Sequence, residues 1–136
     1  MSETAIRRWS PDGLVASPAF SHVAVIPPGA TTVLVGGQNA VDADGALVGG
    51  DDLAAQTAAT LDNLEVALVA AGARLADVVQ WRILAVRGID LHTGFATVMQ
   101  RLEPDVAPPL ISVVLVDGLA VPGALVEIEA VAALLP

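Results

Sequence analysis

Residues 124–132 read Ala-Leu-Val-Glu-Ile-Glu-Ala-Val-Ala and alternate between two kinds of side chain. Successive side chains of a strand point to opposite faces of its sheet, so Val126, Ile128 and Ala130 share one face. The other face carries Leu125, Glu127, Glu129 and Val131. The first face is apolar and needs a cover of helices, whereas the second mixes apolar side chains with carboxylates. Such a mixed face is typical of a subunit interface that contains polar pockets.

Residues 78–86 form a β-branched run with the same division. Their odd-numbered positions are apolar and include Trp81, which we therefore expect in the core. Gln80 and Arg82 face the other way. Two strands of one sheet thus present the same pair of faces.

The first half of the chain predicts a hairpin followed by a helix. Residues 23–26 and 31–35 are short β-rich runs separated by Pro27-Pro28-Gly29-Ala30, a turn set by proline and glycine. A helix should begin near Asp51-Asp52 and stop at Gly72, with apolar residues at spacings of three and four between them.

The second half completes a β-β-α-β-α-β-β order. Residues 90–103 return to helical spacing, and Pro104 forbids continuation of that helix. Residues 111–116 form the next strand, and 124–132 the last. We predict an α+β fold, a mixed sheet with both helices on one face. Residues 1–16 should be a loosely ordered N-terminal segment, and residues 17–136 a single domain.

The composition argues against a membrane span, nucleic-acid binding and a metal site. The 136 residues are 54% hydrophobic with a mean hydropathy of +0.69, yet no apolar run is long enough for a membrane span, so the surplus is expected in subunit interfaces. A net charge of −9 with six scattered arginines argues against nucleic acid. The absence of cysteine excludes thiolate sites, and His22 and His92 lack metal-ligand spacing. We expect a cytoplasmic protein without metal or cofactor.

Several motifs in this order and spacing resemble the RidA/YjgF family of reactive-intermediate deaminases. They are residues 18–22, 33–38, 61–64, 70–72, 77–79, 95–98, 109–112 and 126–132. The resemblance implies a chorismate-mutase-like fold and a homotrimer with its sheets inward, its helices outward and small-molecule clefts between subunits. It also implies hydrolysis of 2-imino acids or their enamine tautomers to 2-keto acids and ammonia.

The resemblance also marks where this chain departs from those deaminases. Ile111 stands where they carry an arginine for the substrate carboxylate, and Met99 and Phe20 stand where they carry asparagine and tyrosine. Glu127 matches their catalytic carboxylate. The remaining matching candidates for ligand binding are Gly36, Gly37, Gln38 and Ser112. A bidentate arginine–carboxylate contact contributes about 1.5–3 kcal/mol, so Ile111 predicts poor activity on simple 2-imino acids.

Two functions remain open on these residues. In the first, Glu127 is a general acid or base of a hydrolase that acts on an uncharged or hydrophobic imine or enamine. In the second, the same trimeric clefts bind an apolar metabolite without turnover. A purely structural role for Glu127, as an ion-pair partner of Arg82, is an equally open alternative. Glu129 is expected to pair with an arginine. A chorismate-mutase-like rearrangement needs several cations in the cleft, and Ile111 argues against it.

Overall fold

The computed structural model describes residues 4–136. It contains six strands and two helices in this part of the chain. Their bounds are β1 Arg7–Trp9, β2 Val23–Val25, β3 Thr31–Gln38, α1 Leu53–Ala70, β4 Val78–Val86, α2 Leu91–Met99, β5 Leu110–Val116 and β6 Val126–Leu134. Residues 1–3 of the segment expected to be loosely ordered lie outside the described residues, and β1 lies inside that segment.

The main sheet has four strands in the order β3-β6-β4-β5. β6 runs antiparallel to both of its neighbours, and β4 and β5 are parallel. Both helices contribute to one core with this sheet, through Leu61, Leu64 and Leu68 of α1 and Val98 of α2. The predicted α+β class, with a mixed sheet and helices on one face, is confirmed.

The predicted division of the two sheet faces is also confirmed. Trp81, Ile128 and Ala130 are buried against the helices. The opposite face has no layer over it among residues 4–136, and we call it the bare face. It carries Leu34, Gly36, Gln80, Arg82, Leu84, Ser112, Val114, Glu127, Glu129 and Val131.

Local chemistry sets the helix ends. The Asp52 carboxylate accepts a hydrogen bond from the Ala55 backbone N–H and caps α1. Gly72 adopts a φ of 80°, and the following Ala73 N–H bonds back to Leu68 O at 2.8 Å. At the start of α2, donors from the Thr93 hydroxyl and the His92 backbone lower the pKa of Asp90.

The hairpin predicted for residues 23–26 and 31–35 is wrong. β2 pairs antiparallel with β1, and β3 pairs with β6 instead. The intervening turn closes with a bond from Ala30 N to Pro27 O, but the two runs form no ladder. The eight-residue β3 finds a far longer match in the nine-residue β6 than in the three-residue β2.

Element boundaries differ from the predicted ones by a few residues. α2 ends at Met99 rather than at 103, and β6 is shifted toward the C-terminus, at Val126–Leu134. β5 is one of the two edge strands of this sheet, and among residues 4–136 it pairs with β4 alone. It reads Leu-Ile-Ser-Val-Val-Leu-Val, without charge or proline, and Val113, Val114 and Leu115 are each at least 40% exposed. Within the described residues, no helix is long and apolar enough to cross a bilayer.

Candidate functional site

Two consecutive glycines interrupt β3 opposite the strand that carries Glu127. Val35 pairs with Ala130 and Gln38 pairs with Ile128, so Gly36 and Gly37 together oppose one residue of β6. This is a β-bulge, which bends the strand and redirects its neighbours. The Gln38 side chain donates from Nε2 to Gly36 O at 3.1 Å and braces the bulge.

The bulge lies directly against the Glu127 carboxylate. A Cβ added at Gly37 would lie 2.8 Å from Cδ and 2.8 Å from Oε2 of Glu127, closer than real contacts permit. Only glycine therefore leaves the carboxylate in this position. Gly36, Gly37, Gln38 and Glu127 are four of the predicted site residues, and the fold brings them together.

Among the described residues, Glu127 takes part in no salt bridge. The sequence left open a pairing with Arg82, and that pairing is wrong, because Arg82 lies beside Glu129 in the ladder and its Nε is 3.7 Å from Oε1 of Glu129. Glu127 lies opposite the apolar Leu84. Within residues 4–136, its carboxylate has neither a hydrogen bond nor an ion pair. The half-buried Glu127 thus keeps all of its acceptor capacity for a ligand or water.

An open hollow of about 380 Å³ indents the bare face around Arg82 and Glu129, and Glu127 does not line it. Gly36, Gln80, Arg82 and Glu129 supply its polar groups, and Leu34 and Val131 are among its apolar ones. Ser112 is exposed and in register with Arg82 on β5, so it extends the same surface. The sequence predicts polar pockets on the mixed face that carries Arg82 and Glu129, and the strand register adds Leu34 and Ser112 to that face.

Ile111 lies elsewhere in the protomer. It is in register with Trp81 and packs against the core on the helix side, whereas Glu127 is in register with Leu84 on the bare face. The two positions are two strands apart, roughly 10 Å, and three residues apart along β4, another 10 Å or so. One protomer does not bring Ile111 and Glu127 into one cleft.

Phe20 and Met99 also lie away from Glu127. The chain next to Phe20 is fixed to the start of β5 by a bond from Ser21 N to Pro109 O at 3.1 Å, and the Phe20 ring contacts the His22 ring edge-on. Met99 ends α2 and, with Pro18 and the loop 102–108, lines an open groove of about 510 Å³. These apolar candidates therefore lie toward the start of β5 rather than near the bulge.

The predicted site residues thus fall into two groups. One group surrounds the Gly36-Gly37 bulge, with Glu127 as its ionisable member. The other is apolar and lies near the start of β5 and the end of α2. Among the described residues, no cluster of three or more histidine, aspartate or glutamate side chains has the arrangement of a metal site.

Comparison with known proteins places the chain in a family. The endoribonuclease L-PSP family model matches residues 12–134. A Rid-family protein of unknown function from Yersinia pestis, YyfB, is 37% identical, with a TM-score of 0.83 over 95% of this chain and 98% of that one. A YjgF/YER057c/UK114-family protein from Mycobacterium tuberculosis is 34% identical, with a TM-score of 0.60 over 94% and 98%.

A more distant structure shares the fold alone. RidA from an Antarctic Psychrobacter is 22% identical, with a TM-score of 0.67 over 97% of this chain and 95% of that one. No curated protein matches the chain. The extent of the family match and the identity to two of its members agree with the motifs and the fold, and the chain therefore belongs to the Rid/YjgF family, whose model is named endoribonuclease L-PSP.

Proposed function

We propose that this protein is a small-molecule hydrolase that converts an uncharged or hydrophobic imine, or its enamine tautomer, into a ketone and ammonia. The observation that carries the proposal is the Glu127 carboxylate, held against the side-chain-free Gly37 with no partner of its own in residues 4–136. An acidic group that is half-buried and uncommitted is available to move a proton.

The chemistry needs one general acid–base group and one water. The Glu127 carboxylate accepts a proton from water while the water oxygen bonds to the imine carbon and the C=N π electrons move to nitrogen. Glu127 passes this proton to nitrogen, which gives the carbinolamine. The hydroxyl proton of the carbinolamine then moves through Glu127 to nitrogen, and the C–N bond breaks as the C=O bond forms. The balance is one imine and one water consumed, and one ketone and one ammonia formed.

A complete cleft requires more than one protomer. Glu127 and the apolar group formed by Phe20, Met99 and Ile111 lie too far apart to meet within one chain, so we propose that a homotrimer brings them together at subunit contacts. The exposed β5 strand and the bare face supply apolar surface for such contacts. In this arrangement Glu127 of one protomer works beside the apolar residues of the next.

The substrate class follows from the residue at position 111. Ile111 is half-buried against the core and offers no cation to a carboxylate. A carboxylate taken into an apolar cleft without a partner loses hydration worth several kcal/mol. Simple 2-imino acids should therefore be poor substrates compared with apolar imines.

The test compares two probes with the native chain and one variant. Benzophenone imine is an uncharged, apolar N–H ketimine whose hydrolysis releases ammonia, and 2-iminobutanoate is its anionic counterpart. We expect the native protein to accelerate ammonia release from the first far more than from the second. Glu127→Gln should reduce the rate on the first at least tenfold with the assembly unchanged.

The control variant is Glu65→Gln, a matched change on the outward side of α1, where Glu65 contacts Arg101 at 3.8 Å. It should keep the native rate. Equal rates for the native protein and Glu127→Gln, or rapid hydrolysis of 2-iminobutanoate, would contradict the proposal.

A second candidate is a binding trimer without turnover. The apolar character of Phe20, Met99 and Ile111 favours it, since these three residues stand where the family's deaminases carry tyrosine, asparagine and arginine. Under this alternative, apolar ligands would bind to the native protein and to Glu127→Gln equally, and the protein would not accelerate ammonia release from any imine above the uncatalysed rate.

Cleavage of RNA, which the family model's name suggests, is not supported by this chain. Its net charge is −9, and only six cations are distributed over 136 residues. Nucleic-acid binding depends on clusters of cations that neutralise phosphates. The arginines whose ion pairs are described, Arg82, Arg87 and Arg101, each lie beside a carboxylate.

A further inference from the structure

Within one protomer, Arg82 and Glu129 on the bare face form a long ion pair without a hydrogen bond. Arg82 Nε and Glu129 Oε1 are 3.7 Å apart, longer than a hydrogen bond, and the two side chains are 60% and 48% exposed. Within residues 4–136, neither side chain makes a hydrogen bond. A guanidinium with five donors and a carboxylate with two acceptor oxygens are therefore available to a group outside the protomer.

Apolar side chains surround this pair. Leu34 is 75% exposed and Val114 is 40% exposed, while Leu84 and Val131 are half-buried on the same face. Burial of this apolar surface by another protein surface is favourable. Because water is excluded on binding, the bound surface must also place a carboxylate beside Arg82 and a cation beside Glu129.

A second copy of this chain meets that demand. Its bare face offers the Arg82 guanidinium and, besides Glu127, the Glu129 carboxylate among the same apolar side chains. The Arg82–Glu129 pair is therefore complementary in charge to the same pair of another copy. The chain is otherwise acidic, with a net charge of −9, so two copies repel each other unless opposite charges meet where they touch. The Arg82–Glu129 pair is the opposite-charge feature of the bare face.

We propose that Arg82 of one protomer pairs with Glu129 of a neighbouring copy, and that this contact determines which chains assemble together. The inference rests on the self-association proposed above and adds the residues that select the partner. In some proteins a polar contact within an apolar interface fixes register, and like charges brought together at a contact exclude mismatched partners.

The experiment is a charge reversal in both positions of one chain. Arg82→Glu combined with Glu129→Arg restores an opposite-charge contact between identical copies, so the double variant should assemble with itself. Mixed with the native chain, it would place like charges together at every hybrid contact. Native mass spectrometry of mixed, exchanged subunits should show hybrids reduced at least about tenfold below the random distribution.

The single variants give the complementary result. Arg82→Glu alone and Glu129→Arg alone each create like-charge contacts between copies and should weaken assembly at least about tenfold by sedimentation. Circular dichroism checks that every variant is folded. Should the double variant not fold, Arg82→Asp with Glu129→Lys provides the same reversal with different side chains.

The control is a second arginine–carboxylate pair away from the bare face. Arg87 Nε and Asp117 Oδ1 are 3.0 Å apart in the loops that follow β4 and β5. The combined variant Arg87→Asp with Asp117→Arg should mix freely with the native chain. Free mixing by the Arg82 and Glu129 double variant would overturn the inference while leaving self-association intact. A native chain that stays monomeric at every concentration would overturn both.

Discussion

At the scale of single residues, the decisive feature is the contact between Gly37 and Glu127. The sequence singled out both residues, through a resemblance and through strand alternation. It did not predict that they touch, because the contact depends on a bulge that sets two residues of β3 against one of β6. Alternation alone also left Arg82 with two possible partners, Glu127 and Glu129, which lie on the same face. The ladder register decided for Glu129.

Gly37→Ala tests whether this contact positions the carboxylate. The new methyl group would overlap the end of the Glu127 side chain, which has to rotate away from the bulge. We expect at least a tenfold loss of imine hydrolysis, with the free energy of unfolding lowered by only about 1 kcal/mol, because a half-exposed side chain can move aside. Kinetics and urea unfolding measure the two effects.

The control for this variant is Gly118→Ala. A Cβ at Gly118 would meet no atom of residues 4–136 within 4 Å, and the φ of Gly118 lies outside the left-handed region. Activity and stability should both stay native there. If Gly37→Ala retained full activity, Glu127 would not need the position that the bulge gives it.

At the scale of elements, pattern predicted every long strand and both helices but missed one partnership and one strand. β1 contains only Arg7-Arg8-Trp9, too short and too charged to show alternation. The prediction of a hairpin was wrong because strand pairing depends on the length of the available partner strand as well as on nearness in sequence. β3 forms its long antiparallel ladder with β6, which lies far away in the sequence, so the residues next to β3 do not predict this pairing.

The buried Gln56 side chain connects α1 to two loops, and its contribution to stability can be measured by substitution. Gln56 on α1 is fully buried. Its Nε2 donates to Gly50 O at 2.7 Å and to Gly123 O at 3.0 Å, and its Oε1 accepts from Leu125 N at 2.9 Å. Gln56→Leu leaves three backbone groups without these partners and should lower the free energy of unfolding by about 3 kcal/mol, at about 1 kcal/mol per bond.

Chemical denaturation of Gln56→Leu provides the measurement, and Gln100→Leu provides the control. Gln100 is exposed at the end of α2, so its replacement should change the free energy of unfolding by less than about 0.5 kcal/mol. A Gln56→Leu protein as stable as the native one would show that the loop carbonyls find other donors.

At the scale of the whole molecule, the apolar excess of the sequence is explained by where it lies. Part of it forms the core under the helices, and part remains on the bare face and on β5. Sequence reasoning anticipated an uncovered sheet face from β4 and β6 alone. It could not foresee that Ile111 and Glu127 would be separated within one protomer, because that distance depends on strand order and register.

Self-association predicts that stability depends on protein concentration. When copies bind one another only in the folded state, mass action stabilises the folded chain. We expect the Tm to rise measurably between micromolar and hundred-micromolar protein in calorimetry. The Arg82→Glu variant should show a smaller rise. A Tm independent of concentration for the native chain would contradict assembly.

The outer edge of β5 has a further consequence. β5 has seven residues without a charge or a proline, and the backbone N–H and C=O groups along its outer edge have no neighbouring strand among residues 4–136. Apolar side chains flank these unpaired groups. Such an edge is a template for sheet growth whenever a protomer is alone. Dilution or acid that separates the copies should therefore lead to fibrils and precipitate rather than to a lasting population of single chains.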